Sequence, residues 1–187
     1  MIDVNQLRRG MTFEHEGTLY RVTEYQHHKP GRGKATIRVG VRDLRSGANL
    51  QLTFTSGDRV EDVRLEKRPM QYLYDDGIFY VFMDQETYEQ KRVNHSVFGE
   101  DAKFLKDNME LELLSLGFDG EVIDYNLPPN VDLEVVESEM AVAGDTATGA
   151  TKEVVTETGL KVRTPLFVEV GDTIRVDTRT EEYVTRV

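Results

Sequence analysis

The sequence predicts an all-β protein made of three small β-barrels, with helix confined to one short segment. Two observations support this fold class. Glycine-containing turn dipeptides recur along the whole chain, and the runs between them are short and rich in β-branched and aromatic residues. The turn signals are Glu16-Gly17, Pro30-Gly31, Ser46-Gly47, Ser56-Gly57, Asp76-Gly77, Asp119-Gly120, Thr158-Gly159 and Val170-Gly171.

The strongest hairpin signal is Asp76-Gly77, which separates the strand-like runs 70–74 and 78–83. We expect these two residues to form the turn, because Asp-Gly tolerates the positive φ of a two-residue loop. The best helix candidate is 100–106, which has acidic residues in its first turn and lysine in its last. The aromatic residues Tyr72, Tyr74, Tyr80 and Phe82 are predicted to pack the core of the second barrel.

Strand patterns pause near residues 64–68 and again at 126–130, where Pro128 and Pro129 interrupt any regular ladder. We therefore predict domains at residues 1–64, 65–127 and 128–187. The third contains a loop of small residues at 141–150. No long flexible linker separates the domains, so the array is expected to be semi-rigid.

Composition excludes several classes of protein. The 187 residues include no cysteine, which removes disulfides, thiolate catalysis and cysteine-based zinc sites. No apolar run approaches the roughly 20 residues that cross a bilayer, so no membrane partner is expected. The amino terminus lacks the apolar segment of a secretory signal, which predicts a cytoplasmic location.

The net charge of −11 is unevenly distributed. Residues 1–64 hold 11 Lys or Arg against 8 Asp or Glu, whereas 65–127 hold 6 against 14 and 128–187 hold 6 against 12. Within residues 21–45, seven cations are accompanied only by Glu24 and Asp43. A basic module on an acidic body favours an oriented contact with nucleic acid over non-specific duplex binding.

The basic loop at residues 27–34 places Arg32 between two glycines, and strand-like runs flank it on both sides. This pattern predicts the tip of a hairpin held out from a sheet, where cations can reach an anionic partner. Gly31 and Gly33 would let the backbone approach RNA closely and take up φ > 0.

Catalytic signals are weak. Adjacent His27 and His28 on a strand would face opposite sides, so they cannot chelate one metal together without a bend. The carboxylate pairs Asp75-Asp76 and Glu181-Glu182 lack an accompanying base or nucleophile, and no phosphate-cradling glycine loop is present. The sequence thus predicts no enzyme activity, metal or cofactor.

Several short motifs follow one another along the chain, and their order is informative about the protein family. They are the basic loop 29–35, then 54–58 (FTSGD), 71–74 (QYLY), 82–84 (FMD), 87–90 (TYEQ), 144–146 (GDT) and 176–180 (VDTRT). In this order they resemble the bacterial elongation factor P family over essentially the whole chain. The departures are Val154, Thr164 and Glu181, the last at a position where glycine would be usual.

The resemblance implies an L-shaped, tRNA-like array with an SH3-like (KOW-type) first domain and two OB-type domains. It implies a monomer that binds both ribosomal subunits between the peptidyl and exit sites and relieves stalling at consecutive prolines. Its loop tip would contact peptidyl-tRNA through Lys29, Pro30, Gly31, Arg32, Gly33 and Lys34. The exit-site messenger would meet Gly144, Asp145 and Thr146, and small-subunit ribosomal RNA would meet Tyr183 and Arg186.

Arg32 occupies the tip position where many members of the family carry a modified lysine. A guanidinium with a pKa above about 12 is rarely a nucleophile, so lysine-type extension is not expected at this position. Unmodified arginine and glycosylated arginine remain, and the sequence context, which lacks the asparagine of the glycosylated branch, favours the unmodified form.

Three other functions stay open. A paralogue of elongation factor P with a different stalling preference would share the same motifs. A free single-stranded RNA-binding barrel protein should spread cations over its OB faces, which the acidic second and third domains disfavour. An enzyme should show a convergent polar constellation, and the sequence shows none.

Overall fold

A computed structural model of the chain describes residues 1–29, 31–117, 119–140 and 149–187. Strand accounts for 55% of the structure and helix for 7%, which confirms the predicted all-β class. Among these described residues, no helix is long and apolar enough to cross a membrane.

The amino-terminal sheet has six antiparallel strands in the order β1-β6-β2-β3-β4-β5. They are β1 (Ile2–Asp3), β2 (Thr12–His15), β3 (Thr18–His28), β4 (Thr36–Asp43), β5 (Asn49–Thr55) and β6 (Arg59–Asp62). Alternation along β4 buries Ile37, Val39 and Val41 against Phe13, while the residues between them face outward. One face of β4 therefore contributes to a core, and Arg38 and Arg42 on its other face are exposed.

The second sheet has five strands in the order β11-β10-β7-β8-β9. They are β7 (Glu66–Asp75), β8 (Phe79–Asp84), β9 (Gln90–Asn94), β10 (Glu110–Ser115) and β11 (Val122–Asn126). Phe82 and Phe104 are fully buried there.

The third sheet also has five strands, in the order β14-β13-β12-β15-β16. They are β12 (Asn130–Ser138), β13 (Thr151–Thr156), β14 (Lys161–Pro165), β15 (Thr173–Asp177) and β16 (Tyr183–Arg186). Leu133, Val154 and Ile174 form part of its buried interior.

Contacts divide the chain into two compact units, residues 1–67 with 113–124 and residues 68–112 with 125–187. Strands stop at Asp62 and Asn126 and resume at Glu66 and Asn130. The division into domains 1–64, 65–127 and 128–187 remains a prediction.

The helix predicted over 100–106 is wrong in type and extent. A single α-helical turn, His95–Phe98, is followed by a 3-10 helix at Gly99–Phe104, and a shorter 3-10 helix spans Val4–Gln6. Gly99 ends the α-helical turn because its φ of 51° lies outside the right-handed helical region.

The predicted β7–β8 hairpin is present, but its turn is placed one residue later. The N–H of Asp76 donates to the carbonyl of Phe79, which leaves Gly77 and Ile78 as the loop residues. Only Gly77 of the predicted pair has positive φ, at 91°, while the Asp76 carboxylate accepts the N–H groups of Ile78 and Phe79.

The prediction that Tyr74 packs the core is also wrong. Tyr72 pairs with Phe82, but the register shifts between Tyr72 and Tyr74, so that Tyr74 pairs with Val81 instead. This bulge turns Tyr74 to the other face, where 49% of it is exposed, whereas Tyr72 and Phe82 are buried and Tyr80 is half-buried.

Candidate nucleic-acid interface

The basic loop lies at the end of the longest hairpin in the first sheet. Strands β3 and β4 pair from Tyr20 with Asp43 to His28 with Thr36, which leaves residues 29–35 as the hairpin tip. Pro30 falls outside the described residues. The tip is fixed at its far end, where the N–H of Ser56 donates to the carbonyl of Ala35 at 2.8 Å.

A β-bulge bends this hairpin midway. The β3–β4 register shifts between Val22 and Glu24, and Gly40 lies opposite the shift. A Cβ at Gly40 would lie 3.1 Å from the Cβ of Glu24 and 3.1 Å from Oγ1 of Thr23, so a residue with a side chain would require these neighbours to shift by a few tenths of an ångström. The glycine thus permits the bend, which redirects the outer half of the hairpin and its tip.

Gly33 takes up the predicted positive φ, with a value of 103°. The positive φ of Gly31 stays a prediction, because that angle depends on Pro30, which lies outside the described residues. A Cβ added at either glycine would meet no described atom within 4 Å, which leaves open space on both sides of Arg32.

Several cations of the hairpin have no internal partner among the described residues. Lys29, Arg32 and Lys34 are exposed, and in the part of the chain that the structure describes none has an ion pair or side-chain hydrogen bond. Arg38 and Arg42, which face outward on β4, are equally free among the described residues. Their alternation with the buried residues of β4 could have identified them from the sequence as an extension of the basic loop.

Most of the other cations among the described residues are paired with carboxylates, including Arg21 at the inner end of the hairpin. For example, Arg68 lies 2.7 Å from Asp84 and Arg175 lies 2.7 Å from Asp132. The paired cations are Arg21, Arg45, Arg64, Arg68, Arg92, Lys103, Lys106, Lys161, Arg175, Arg179 and Arg186. Among the described residues, Arg9, Arg59, Lys67, Lys152 and Arg163 also lack an ion pair, but they are scattered. The hairpin is the region where unpaired cations follow one another as a run.

The adjacent histidines lie on β3 just before the tip, and both are exposed. His27 pairs with Ile37 and His28 with Thr36, so the two rings leave opposite faces of the strand. Either ring can stack on a base or bond a phosphate when RNA lies along the hairpin.

One histidine–carboxylate pair was missed by the sequence interpretation. Nε2 of His95 lies 2.8 Å from Oδ1 of Asp75, and the His95 ring packs 4.2 Å from the ring of Tyr80. The hydroxyl of the neighbouring Ser96 bonds Asn94 instead. The pair joins the α-helical turn to the end of β7, which is a structural role, and 20 residues of separation gave no local sequence signal.

Comparison with protein-family models matches three domains in succession along the chain, in the order expected from the sequence motifs. The elongation factor P KOW-like domain matches residues 3–60, the elongation factor P OB domain matches 65–125, and the elongation factor P C-terminal domain matches 131–186. Elongation factor P of Moorella thermoacetica is 46% identical over 186 residues, covering 100% of both chains. The chain belongs to the elongation factor P family.

Other members of the elongation factor P family are similarly close. The protein from Syntrophomonas wolfei is 46% identical and that from Pelotomaculum thermopropionicum 45% identical, each over 100% of both chains. Eukaryotic translation initiation factor 5A from Methanococcus jannaschii shares the fold, with a TM-score of 0.55 at 21% identity over 67% of this chain and 92% of that one. The predicted KOW-type and OB-type folds are thereby confirmed.

Membership of the elongation factor P family makes this protein a translation elongation factor and implies interaction with the ribosome. The other residues expected to contact RNA lie in the third sheet or outside the described residues. Tyr183 is half-buried, and Arg186 is bonded to Asp172 at 3.4 Å and stacked 5.2 Å from the ring of Phe167. Gly144, Asp145 and Thr146 lie outside the described residues.

Proposed function

We propose that this elongation factor binds the ribosome between the peptidyl and exit sites and stimulates peptide-bond formation at consecutive prolines. The hairpin tip would position peptidyl-tRNA, while the ribosome supplies the chemistry. The observation that carries this proposal is a run of cations along one hairpin that are unpaired within the described structure, in a protein of net charge −11. They are Lys29, Arg32, Lys34, Arg38 and Arg42.

The physical need at a proline stall is orientation. The proline ring fixes φ and restricts the nascent chain, so reactive alignment of the two substrates is rarely populated. A cationic tip held along the acceptor end of tRNA would raise the population of near-attack geometry. The protein needs no catalytic group of its own for this role.

Arg32 is suited to the tip without modification. Its guanidinium offers five donors and a planar face that stacks on bases, and both neighbouring glycines leave space for RNA to approach. Lys29 and Lys34 would add phosphate contacts on either side. The intact mass of protein purified from its native source should equal the sequence mass, and excess mass mapped to Arg32 would show arginine modification instead.

We also propose contacts with the messenger and with small-subunit RNA. Gly144, Asp145 and Thr146 would meet the exit-site messenger, and Tyr183 and Arg186 would meet small-subunit RNA. The bond from Arg186 to Asp172 uses one nitrogen of its guanidinium, so other donors remain for a phosphate. We also propose that the protein acts as a monomer in the cytoplasm, where ribosomes translate.

Translation of a reporter with three consecutive prolines by purified ribosomes tests this function. We expect the protein to raise the rate of full-length synthesis, and to leave a matched reporter with three alanines unchanged. Reporters with other stalling sequences distinguish a paralogue of different preference. Absence of stimulation on the proline reporter would overturn the stall-relief assignment.

A further inference from the structure

Three turns, one in each sheet, share a single hydrogen-bonding pattern. They span residues 43–48, 84–89 and 177–182, and we name them the aspartate-anchored turns. In each, the N–H of the aspartate donates to the carbonyl five residues later, and the N–H four residues later donates to the aspartate carbonyl, all at 2.9 Å. The aspartate Oδ1 also accepts the N–H groups two and three residues later.

The fifth residue of each turn is in the left-handed region. Gly47 has φ of 75°, Tyr88 has φ of 62° and Glu181 has φ of 62°. Glycine takes this conformation without strain, whereas a residue with a Cβ does so at an energetic cost. Tyr88 and Glu181 therefore carry a backbone cost that glycine would not, and a contact made by the side chain can offset it.

Glu181 has an evident internal use. Its Oε1 lies 2.8 Å from Nζ of Lys103, so the carboxylate forms an ion pair with the 3-10 helix Gly99–Phe104. This contact explains a glutamate where the family resemblance led us to expect glycine. The strain at this turn is offset within the protein.

Tyr88 differs from Glu181 in its surroundings. Its side chain is 72% exposed, and among the described residues it has no ring contact, cation contact or side-chain hydrogen bond. The turn beneath it is nevertheless firmly held, because Asp84 also accepts from Arg68 at 2.7 Å. A fixed turn thus presents the Tyr88 ring to solvent. The backbone of this residue is strained, and the ring has no partner within the described structure.

The residues around Tyr88 determine what can bind there. Glu86 and Glu89 flank it in the same turn and are exposed, which disfavours the phosphates of RNA. Carboxylates beside an aromatic ring suit a lysine or arginine side chain, whose cation stacks on the ring and pairs with the acids. Basic protein segments carry such side chains.

We propose that Tyr88, with Glu86 and Glu89, docks a lysine- or arginine-bearing protein segment of the ribosome. This docking surface rests on the proposed ribosome binding and is separate from the RNA contact at the hairpin tip. The tip supplies positive charge to RNA, and the second sheet supplies an aromatic ring and negative charge to protein.

Binding of fluorescently labelled variants to purified 70S ribosomes tests the proposal. Loss of an aromatic anchor should weaken binding at least about fivefold for Tyr88→Ala and Tyr88→Gly, while Tyr88→Phe keeps the ring and stays within about twofold. Tyr74→Ala, which truncates another exposed tyrosine of the same sheet, serves as the matched control and should bind like the wild type.

Thermal unfolding separates docking from a structural role. Because glycine relieves the positive φ, Tyr88→Gly should melt at the same temperature as the wild type or higher, despite its weaker binding. A lower melting temperature for Tyr88→Gly, or ribosome affinity equal to that of the wild type, would overturn the proposal.

A photo-crosslinking residue at position 88 identifies the partner class. We expect crosslinks to ribosomal protein, and crosslinks confined to ribosomal RNA would overturn the assignment.

Different results would overturn the docking surface and the proposed function. If the wild type binds ribosomes and relieves proline stalls but the position 88 variants behave identically, only the docking surface is wrong, whereas a wild type that binds no ribosomes overturns both.

Discussion

The hairpin tip and the aspartate-anchored turns are loops of similar length that use their polar groups in opposite ways. In the turns, an aspartate accepts backbone N–H groups, and the cations beside it pair with carboxylates, as Arg45 does with Glu121 and Arg179 with Asp177. In the tip, Lys29, Arg32 and Lys34 have no partner in the described structure. A loop bonded to itself stabilises the fold, whereas a loop with unpaired charge is available to a ligand.

The largest expected effect is on stability, at the aspartate-anchored turn whose aspartate is buried. Asp84 is buried, accepts from the N–H groups of Glu86 and Thr87, and pairs with Arg68. Asp84→Ala should lower the free energy of unfolding by about 2 kcal/mol, because it leaves these donors without their acceptor. Denaturant titration measures the change. Asp107→Ala, at an exposed acid, should stay within about 0.5 kcal/mol, and an equal loss there would contradict this assignment.

The same aspartate predicts how stability depends on pH. Hydrogen bonds from the N–H groups of Thr87 and Glu86, with the ion pair to Arg68, hold the pKa of Asp84 below its usual value. The stabilisation is therefore full above the unfolded pKa of about 3.9 and is lost as the pH falls through the lowered folded value. The melting-temperature difference between the wild type and Asp84→Asn should be constant from about pH 8 to 5 and shrink below about pH 4. A difference that grows in acid would contradict this sign.

Sequence reasoning succeeded where hydrophobic periodicity carried the information. The β3–β4 hairpin follows from alternation on both sides of the basic loop, and β4 buries Ile37, Val39 and Val41 as alternation requires. Hydrophobic periodicity gave a wrong prediction where the pairing of the strands is irregular. The bulge between Tyr72 and Tyr74 reversed the face of Tyr74, because a one-residue shift is invisible in a run that is aromatic on both faces.

The candidate site could be predicted only in part, because local sequence patterns do not show irregular backbone or contacts between distant residues. Lys29, Arg32 and Lys34 are local in sequence, so a basic loop between strands was enough to single them out. The left-handed conformation of Tyr88 depends on hydrogen bonds to Asp84, and no glycine or asparagine marks the position. Nor could sequence spacing show that Glu181 meets Lys103, since these residues are far apart in the chain and meet only through tertiary packing.

The next largest expected effect is on translation through consecutive prolines, and it concerns the hairpin tip. Arg32→Ala should slow synthesis through three consecutive prolines by roughly tenfold, equivalent to about 1.4 kcal/mol of lost positioning, with an unchanged melting temperature. Arg45→Ala removes an exposed arginine of the same domain that is paired with Glu121, and it should leave the rate unchanged. Equal loss of activity in both variants would mean that total charge, rather than the unpaired tip, determines function.

The smallest expected effects belong to the lysines on either side of Arg32. Lys29→Ala and Lys34→Ala should each weaken ribosome binding by about threefold and reduce the slope of log affinity against log salt by about 0.7, as loss of one phosphate contact to single-stranded RNA would. Lys161→Ala, at a lysine paired with Glu153 in the third sheet, should leave the slope unchanged. Salt titration of ribosome binding measures all three. If Lys34→Ala changed affinity without changing the slope, its ammonium would not contact phosphate, and the phosphate contacts of the tip would be reduced to those of Lys29 and Arg32.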